Sequence, residues 1–332
     1  MALKNKFYKI VYLSIKIIFI LLIVFSIIPY FIPLNNNSLS KIMKENPKKT
    51  WANVGEISLY YERYLPETER KKGNILMIHG FAGSTYSWQK NVKNLQNLGY
   101  EVILVDLPAF GLSDRKNMKN HSPSSRAKLL WNFVSNNFID NQDKWIIFGH
   151  SMGASVALAM AQQKPSKVEN LFLVDGANLR FGKKTWGTFF TLHLLSYPPL
   201  RRWIAVIAEY NYYNEPYFKK LLASAYQTEP TPEAVKNYLM PFKIEGTTEG
   251  ILQSFLNGQE KNPIDDFSSL KMPIYLLWGT KDTWVPIEVA KNFIKNNNTN
   301  AKLITLENAG HNPMETQTEK FNNIIKDILE KN

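Results

Sequence analysis

The chain has 332 residues, 45% of them apolar, enough for one large domain with an insertion or for two domains, and too many for a globally disordered chain. It contains no cysteine, which excludes disulfides, thiolate metal sites, a cysteine nucleophile and a lipidated cysteine. The formal net charge is +12, but twelve Lys and Arg against five Glu fall within residues 1–72 and no nucleic-acid module is recognisable. A basic collar beside anionic lipid accounts for that excess, so no nucleic-acid partner is expected.

The first element is apolar. Residues 10–32 are interrupted only by Ser14, Lys16, Ser26 and Pro29, long enough to cross a bilayer with Lys16 snorkelling to one face. Lys4, Lys6 and Lys9 would also suit a secretory signal, but Ser26-Ile27-Ile28-Pro29-Tyr30 offers no small-x-small cleavage site. The reading is an uncleaved transmembrane anchor over residues 1–32 and a stalk over residues 33–50, which carry Pro33, Asn35-Asn36-Asn37 and Pro47. Lysines flank the apolar core on both sides, so the positive-inside rule assigns no orientation.

From residue 51 onward, short apolar runs alternate with helical stretches. Glu56–Tyr64 reads as part of an initial hairpin. Asn74–His79, Glu101–Leu107, Lys144–Gly149, Val168–Val174, Met272–Gly279 and Ala301–Leu306 read as buried strands. Tyr86–Leu98, Ser124–Phe138, Met152–Gln163, Pro286–Asn296 and Glu315–Leu329 read as helices. Alternation of this kind predicts a mostly parallel sheet covered on both faces, with ligands at the carboxyl ends of its strands. Residues 178–262 break the alternation and hold fifteen aromatics. They predict a mainly helical cap, most of whose rings pack its own core while some face a pocket.

Gly149-His150-Ser151-Met152-Gly153 joins the run Trp145–Phe148 to the small-residue helix starting at Met152. That is a strand, a tight turn and a helix with a serine at the apex. Glycines on either side relieve the close approach of strand and helix and tolerate unusual backbone angles. The serine lands at a helix N-terminus, where developing negative charge is favoured. Acyl transfer then needs a base, a group to orient it and donors for the oxyanion. Among five histidines, His150 lies inside the turn, His79 ends a strand, His121 sits in a polar loop and His193 in the insertion. His311, in the loop Glu307–Pro313 after the last strand, is the best-placed base. Asp282, just after the penultimate strand, is the favoured acid, and Asp175, after Val168–Val174, is the alternative.

These motifs resemble the α/β-hydrolase superfamily, of the capped esterase, lipase and C–C hydrolase type. The chain order Ser151, Asp282, His311 is similar to the family order. His79-Gly80-Phe81 resembles the family's oxyanion loop, and the resemblance implies that the backbone N–H groups of Phe81 and Met152 form the oxyanion hole. Asp106–Ser113 resembles the family's D-x-P-G-x-G-x-S loop, with Ala109 where the first glycine is usual. A serine at the turn, where haloalkane dehalogenases and epoxide hydrolases of this fold carry aspartate, argues against both. The implied protein is a membrane-anchored serine hydrolase of small-molecule or lipid esters, monoacylglycerol-like lipids among them, needing no cofactor and no metal. C–C bond hydrolases, prolyl aminopeptidases and acyltransferases share the same triad. A non-catalytic binding protein on this fold usually lacks a triad member, and none is missing here.

Overall fold

The computed structural model describes residues 2–34, 37–138, 144–176, 195–258, 267, 269–296 and 300–331. Its helices, in chain order, begin with α1 (Ala2–Ile27), α2 (Leu39–Glu45), α3 (Gln89–Asn97), α4 (Pro123–Asn137) and α5 (Met152–Gln163). Then come α6 (Pro198–Ile207), α7 (Glu215–Tyr226), α8 (Pro232–Leu239) and α9 (Thr247–Asn257), followed by α10 (Glu288–Asn296), α11 (Pro313–Thr316) and α12 (Thr318–Lys331). The strands are β1 (Thr50–Val54), β2 (Ile57–Tyr64), β3 (Gly73–Ile78), β4 (Tyr100–Val105), β5 (Trp145–His150), β6 (Val168–Val174), β7 (Ile274–Gly279) and β8 (Ala301–Leu306).

All eight strands form one sheet in the order β1-β2-β4-β3-β5-β6-β7-β8. Strand β2 is antiparallel to both neighbours, and the remaining pairings are parallel. Because side chains alternate along a strand, each of the central strands feeds two cores. Leu76, Ile78, Ile103, Val105 and Ile147 face α4, α5 and α10. Ile75, Met77, Val102, Leu104 and Phe148 face α3 and α12. This is the α/β-hydrolase architecture read from the sequence: a mostly parallel sheet with helices on both faces.

The cap emerges between β6 and β7 as expected. No strand occurs among its described residues, and α6–α9 make it helical. Asn214 and Thr231 cap α7 and α8 by accepting the N–H of Tyr217 and Ala234, each with proline in the first turn. Phe218, Leu222, Tyr226, Val235, Tyr238, Leu239 and Phe242 pack as a core of their own, but Tyr197, Tyr210, Tyr212, Tyr217 and Phe255 are exposed, so fewer of the described cap aromatics fill the cap core than the sequence suggested. His193 and the aromatics between residues 177 and 194 lie outside the described residues.

Helix α1 belongs to the one described segment, Asn5–Tyr30, that is long and apolar enough to cross a membrane by length and composition, and none of that window is buried. Its C-terminal end meets the cap. Phe25 stacks on Trp203 at 5.5 Å, and Trp203 Nε1 donates to the Phe25 carbonyl at 2.8 Å. Arg202 donates to the carbonyls of Pro29 and Ile32 at 3.0 and 2.7 Å. Within residues 33–50, Ser38 caps α2, and Leu39 and Ile42 pack beside Tyr60, Leu112 and Ile244.

A buried carboxyl group ties the cap to the sheet. Glu315 accepts from Tyr226 at 2.7 Å, Tyr238 at 2.5 Å and Asn312 at 2.9 Å. Tyr238 also meets Ser87 Oγ at 2.9 Å. Burial pushes the Glu315 carboxyl up from 4.5 to about 6, against the pull of these donors. A group raised in the folded state contributes stability that is complete below its unfolded pKa and is lost as pH rises through the folded one. Glu315 should therefore contribute about 2 kcal/mol near pH 4 that has disappeared above pH ~6. Denaturant unfolding across this window should show that slope in the native protein and its loss in Glu315→Gln.

Candidate active site

The carboxyl ends of β3, β5, β6, β7 and β8 bring the predicted residues together. Ser151 follows β5 directly and starts α5 with φ 50° and ψ −116°, a strained backbone for a residue with a side chain. Its N–H is held by the carbonyl of Val174 at 2.9 Å. The two glycines of the motif are required sterically. A Cβ on Gly149 would sit 2.4 Å from the Gly153 carbonyl oxygen, and one on Gly153 would sit 2.5 Å from the oxygens of Ile78 and His79.

His311 and Asp282 are paired: Nδ1 of His311 donates to Oδ2 of Asp282 at 2.7 Å, both side chains being buried. Oδ1 of Asp282 accepts the N–H groups of Trp284 and Val285 at 2.8 and 2.9 Å. Burial opposes ionisation of Asp282, but His311 and these two N–H groups together hold its carboxyl below its usual range. Trp284 stacks on the His311 ring at 5.4 Å. Asp175, the alternative acid, also reaches this point; it, Asp282 and His311 present side-chain atoms within 4.8 Å of one another.

The loop after β3 approaches Ser151 closely. A Cβ on Gly80 would lie 2.9 Å from Ser151 Cβ. His79 is buried and neutral, its pKa pushed down to about 4 by desolvation. Its Nδ1 donates to the Gly80 carbonyl at 2.6 Å, and its Nε2 accepts from the N–H of Leu107 at 2.9 Å. In the trans peptide that follows, the N–H of Phe81 points opposite to that carbonyl, away from the His79 ring. The Phe81 ring meets Phe110 and, across from the cap, Phe255. Asp106 organises the next loop, accepting from the N–H of Thr85 and of Leu112, each at 2.6 Å. Ala109, where a glycine was usual by resemblance, has φ 78°, which explains the preference.

Two contributors were not legible in the sequence. His150, inside the turn, donates from Nε2 to the carbonyl of His311 at 2.7 Å, its ring 4.8 Å from the His311 ring. Desolvation pushes its pKa down to about 3, so it braces the loop as a neutral donor. The cap completes the support: the N–H of His311 donates to Ala225 at the end of α7, at 2.7 Å. A cavity of about 30 Å³ remains between them, lined by Phe81, Ala82, Leu221, Leu222, Ala225, Trp284 and polar neighbours that include Ser87, His150 and His311.

Comparison with known proteins agrees with this geometry. Residues 73–318 match the family model described as alpha/beta hydrolase fold, and the chain belongs to that family. Relatives include the hydrolase YugF of Bacillus subtilis, 24% identical over 83% of this chain and 96% of its own length. Lipase 1 of Psychrobacter immobilis is 26% identical over 72% of this chain and 71% of its own length. A 2-hydroxy-6-oxononadienedioate/2-hydroxy-6-oxononatrienedioate hydrolase of Burkholderia vietnamiensis is 24% identical over 87% of this chain and 98% of its own. Among solved structures, a probable hydrolytic enzyme of Pseudomonas aeruginosa has a TM-score of 0.67 at 19% identity, covering 84% of this chain and 93% of that one. A structure titled membrane phospholipase A covers 98% of both chains with a TM-score of 0.63 at 21% identity. The chain is an α/β-hydrolase-fold enzyme with a Ser/His/Asp-type active site.

Replacing His150 by alanine should lower kcat roughly tenfold, because the His311 loop loses a support. Steady-state kinetics with one chromogenic substrate checks this; an unchanged kcat would deny the brace.

Proposed function

We propose that this chain is a membrane-anchored serine hydrolase that cleaves carboxylic esters of apolar acids, monoacylglycerol-like lipids among them, through an acyl-enzyme. The observation that carries the reading is a serine strained at the strand–helix turn, at the same edge of the sheet as the hydrogen-bonded His311–Asp282 pair. Ser151 Oγ attacks the carbonyl carbon and passes its proton to Nε2 of His311. Asp282 orients the ring and stabilises the imidazolium, while the N–H groups of Phe81 and Met152 receive the oxyanion. Collapse expels the alcohol, which takes the proton from His311. Water then gives a proton to His311, attacks the acyl carbon and releases the acid, restoring Ser151. The exposed apolar helix α1 and the full-length match to a structure titled membrane phospholipase A support the anchor.

Hydrolysis of a carbon–carbon bond by the same triad is the second reading. The names of the curated relatives support it more strongly than they support ester cleavage: the match to the Burkholderia enzyme spans 98% of that protein, against 71% of the lipase. A dioate is a dianion, however, and a buried dianion needs cationic partners. Arg126 is a buried cation against Met152, its Nη1 3.0 Å from Sδ, so turnover of the two substrate classes decides between the readings.

Ser151→Ala should lose about 10⁴-fold in kcat and all fluorophosphonate labelling, because nucleophile and base act as a unit. Asp282→Asn should cost far more than Asp175→Asn, since only Asp282 bonds the imidazole directly; the reverse order would move the acid to β6. Turnover should be tested on p-nitrophenyl esters of rising chain length and on a 2-hydroxy-6-oxo dienoate. Each added CH₂ is worth about 0.8 kcal/mol in an apolar pocket, so kcat/KM should climb from acetate toward decanoate. Preference for the dienoate would select the second reading, and preference for acetate would mean a small pocket. Full-length protein should stay with membranes through a carbonate wash; release would deny an integral anchor.

A further inference from the structure

Asp175 ends β6, beside the strand that leads to Asp282. It is fully buried, and its φ of 43° is a left-handed value that a non-glycine residue holds at a cost. Its N–H donates to the carbonyl of Leu277 at 3.0 Å, and its Oδ1 accepts the N–H of Gly279 at 2.9 Å. Both contacts pin it to the end of β7. Its Oδ2 is buried and has no N–H or O–H donor. What lies beside it is the catalytic couple, within the 4.8 Å triangle of Asp175, Asp282 and His311. A further titratable group near Asp282 and His311 is His150, a neutral donor to the His311 carbonyl. Two carboxyl groups side by side in such a place ionise one at a time, and the second holds a proton.

We propose that Asp175 is a positioning residue of the triad: its Oδ2 keeps a proton and donates it to the Asp282 carboxylate, fixing Asp282 against His311. The inference rests on Asp282 and His311 being the catalytic pair. Burial, reinforced by the charge of Asp282, pushes the Asp175 carboxyl well above the carboxylate range, while Asp282 is held below it. Opposite directions in neighbouring acids mark two groups sharing one proton. The tie also answers a geometric need. Asp282 otherwise takes its orientation from His311 and from N–H groups two and three residues along its own loop. Asp175 gives it a partner on a different strand.

The test uses full-length protein in detergent, with kcat and kcat/KM followed against pH on a p-nitrophenyl ester and active sites counted by fluorophosphonate titration. Asp175→Asn exchanges a protonated carboxyl for a neutral amide of the same shape, which can still accept from Gly279 and donate to Asp282. Activity should stay within about threefold of the native protein, and the acid limb of the pH profile should not move. If Asp175 is instead a carboxylate, this variant removes a negative charge near His311, and the acid limb falls by about one pH unit or more. That result would overturn the proposal. Asp175→Ala deletes the donor. It should lower kcat per titrated site roughly tenfold at similar KM, and raise the acid limb because the Asp282 charge is no longer shared. A merely structural role would reduce the number of titratable sites but leave kcat per site and the limb in place, which also counts against the proposal. Should the alanine variant fail to fold, the asparagine variant decides alone. Failure of the triad reading itself looks different: Asp282→Asn would then keep its activity whatever is done at Asp175.

Discussion

Ser151 cannot relax. Its backbone, at φ 50° and ψ −116°, is held where strand β5 stops and α5 starts. Three glycines make that turn possible because the chain has no room for a methyl group at any of them: Gly149 against Gly153, Gly153 against the end of β3, and Gly80 against Ser151 itself. The close approach of β3, β5 and α5 sets the distance between the serine and the loop carrying Phe81. It also places the serine at the first turn of a helix, where the backbone N–H groups are unpaired and the dipole favours negative charge. Local strain of this kind costs of order 1–3 kcal/mol and survives because the packing around it leaves no alternative. Here that packing is the middle of the sheet, where β3, β5 and β6 are buried on both faces.

The histidine is held from both sides, and this limits how the cap can behave. Its N–H is bonded to Ala225 of α7, and its carbonyl to His150 of β5. The preceding Gly310 has no side chain because a Cβ there would fall 2.4 Å from the Ala225 oxygen. Glu315, four residues further on, holds Tyr226 and Tyr238 of the same cap helices. Moving the end of α7 away from the sheet would therefore pull the backbone of His311 with it. The opposite side of the cap is fastened differently. Arg115, buried with no carboxylate in bonding distance among the described residues, donates to Thr247 Oγ1 at 3.1 Å and to the Phe110 carbonyl at 2.9 Å. Phe255 meets Phe81 only by ring contact and is itself exposed.

Much of this was legible because it is local. Apolar runs of strand length alternating with helical stretches point to a mostly parallel sheet, and their boundaries agree with the structure to within two residues at most ends. The serine turn announces itself through glycines at fixed offsets, and Asp282 and His311 through their positions after the last two strands. What stayed hidden depends on residues far apart in sequence. His150 and His311 are separated by 161 positions and Tyr226 and Glu315 by 89, and no periodicity or spacing links them. The role of the histidine inside the turn was hidden because its partner, the His311 carbonyl, lies in a loop distant in sequence. Helix α2 within the expected stalk was hidden because seven residues with one apolar flank carry almost no helical signal.

The described contacts of the N-terminal helix are with the cap, not with the sheet. Trp203, Arg202 and Tyr210, all from the cap, meet Phe25, Pro29, Ile32 and Pro33. Arg202 spends its donors on backbone carbonyls at the point where α1 gives way to irregular chain, which is where such carbonyls lack partners of their own. The same cap carries exposed aromatic side chains, Tyr197, Tyr210, Tyr212 and Tyr217. Rings with an apolar body and a polar tip are stable at an interface between apolar and aqueous surroundings. Residues 25–33 are therefore linked to the cap, and the cap is linked through Ala225 and Glu315 to the histidine loop. A force applied to the end of α1 would reach the cap by hydrogen bonds and one stacked pair, and would reach His311 by two further hydrogen-bonded connections.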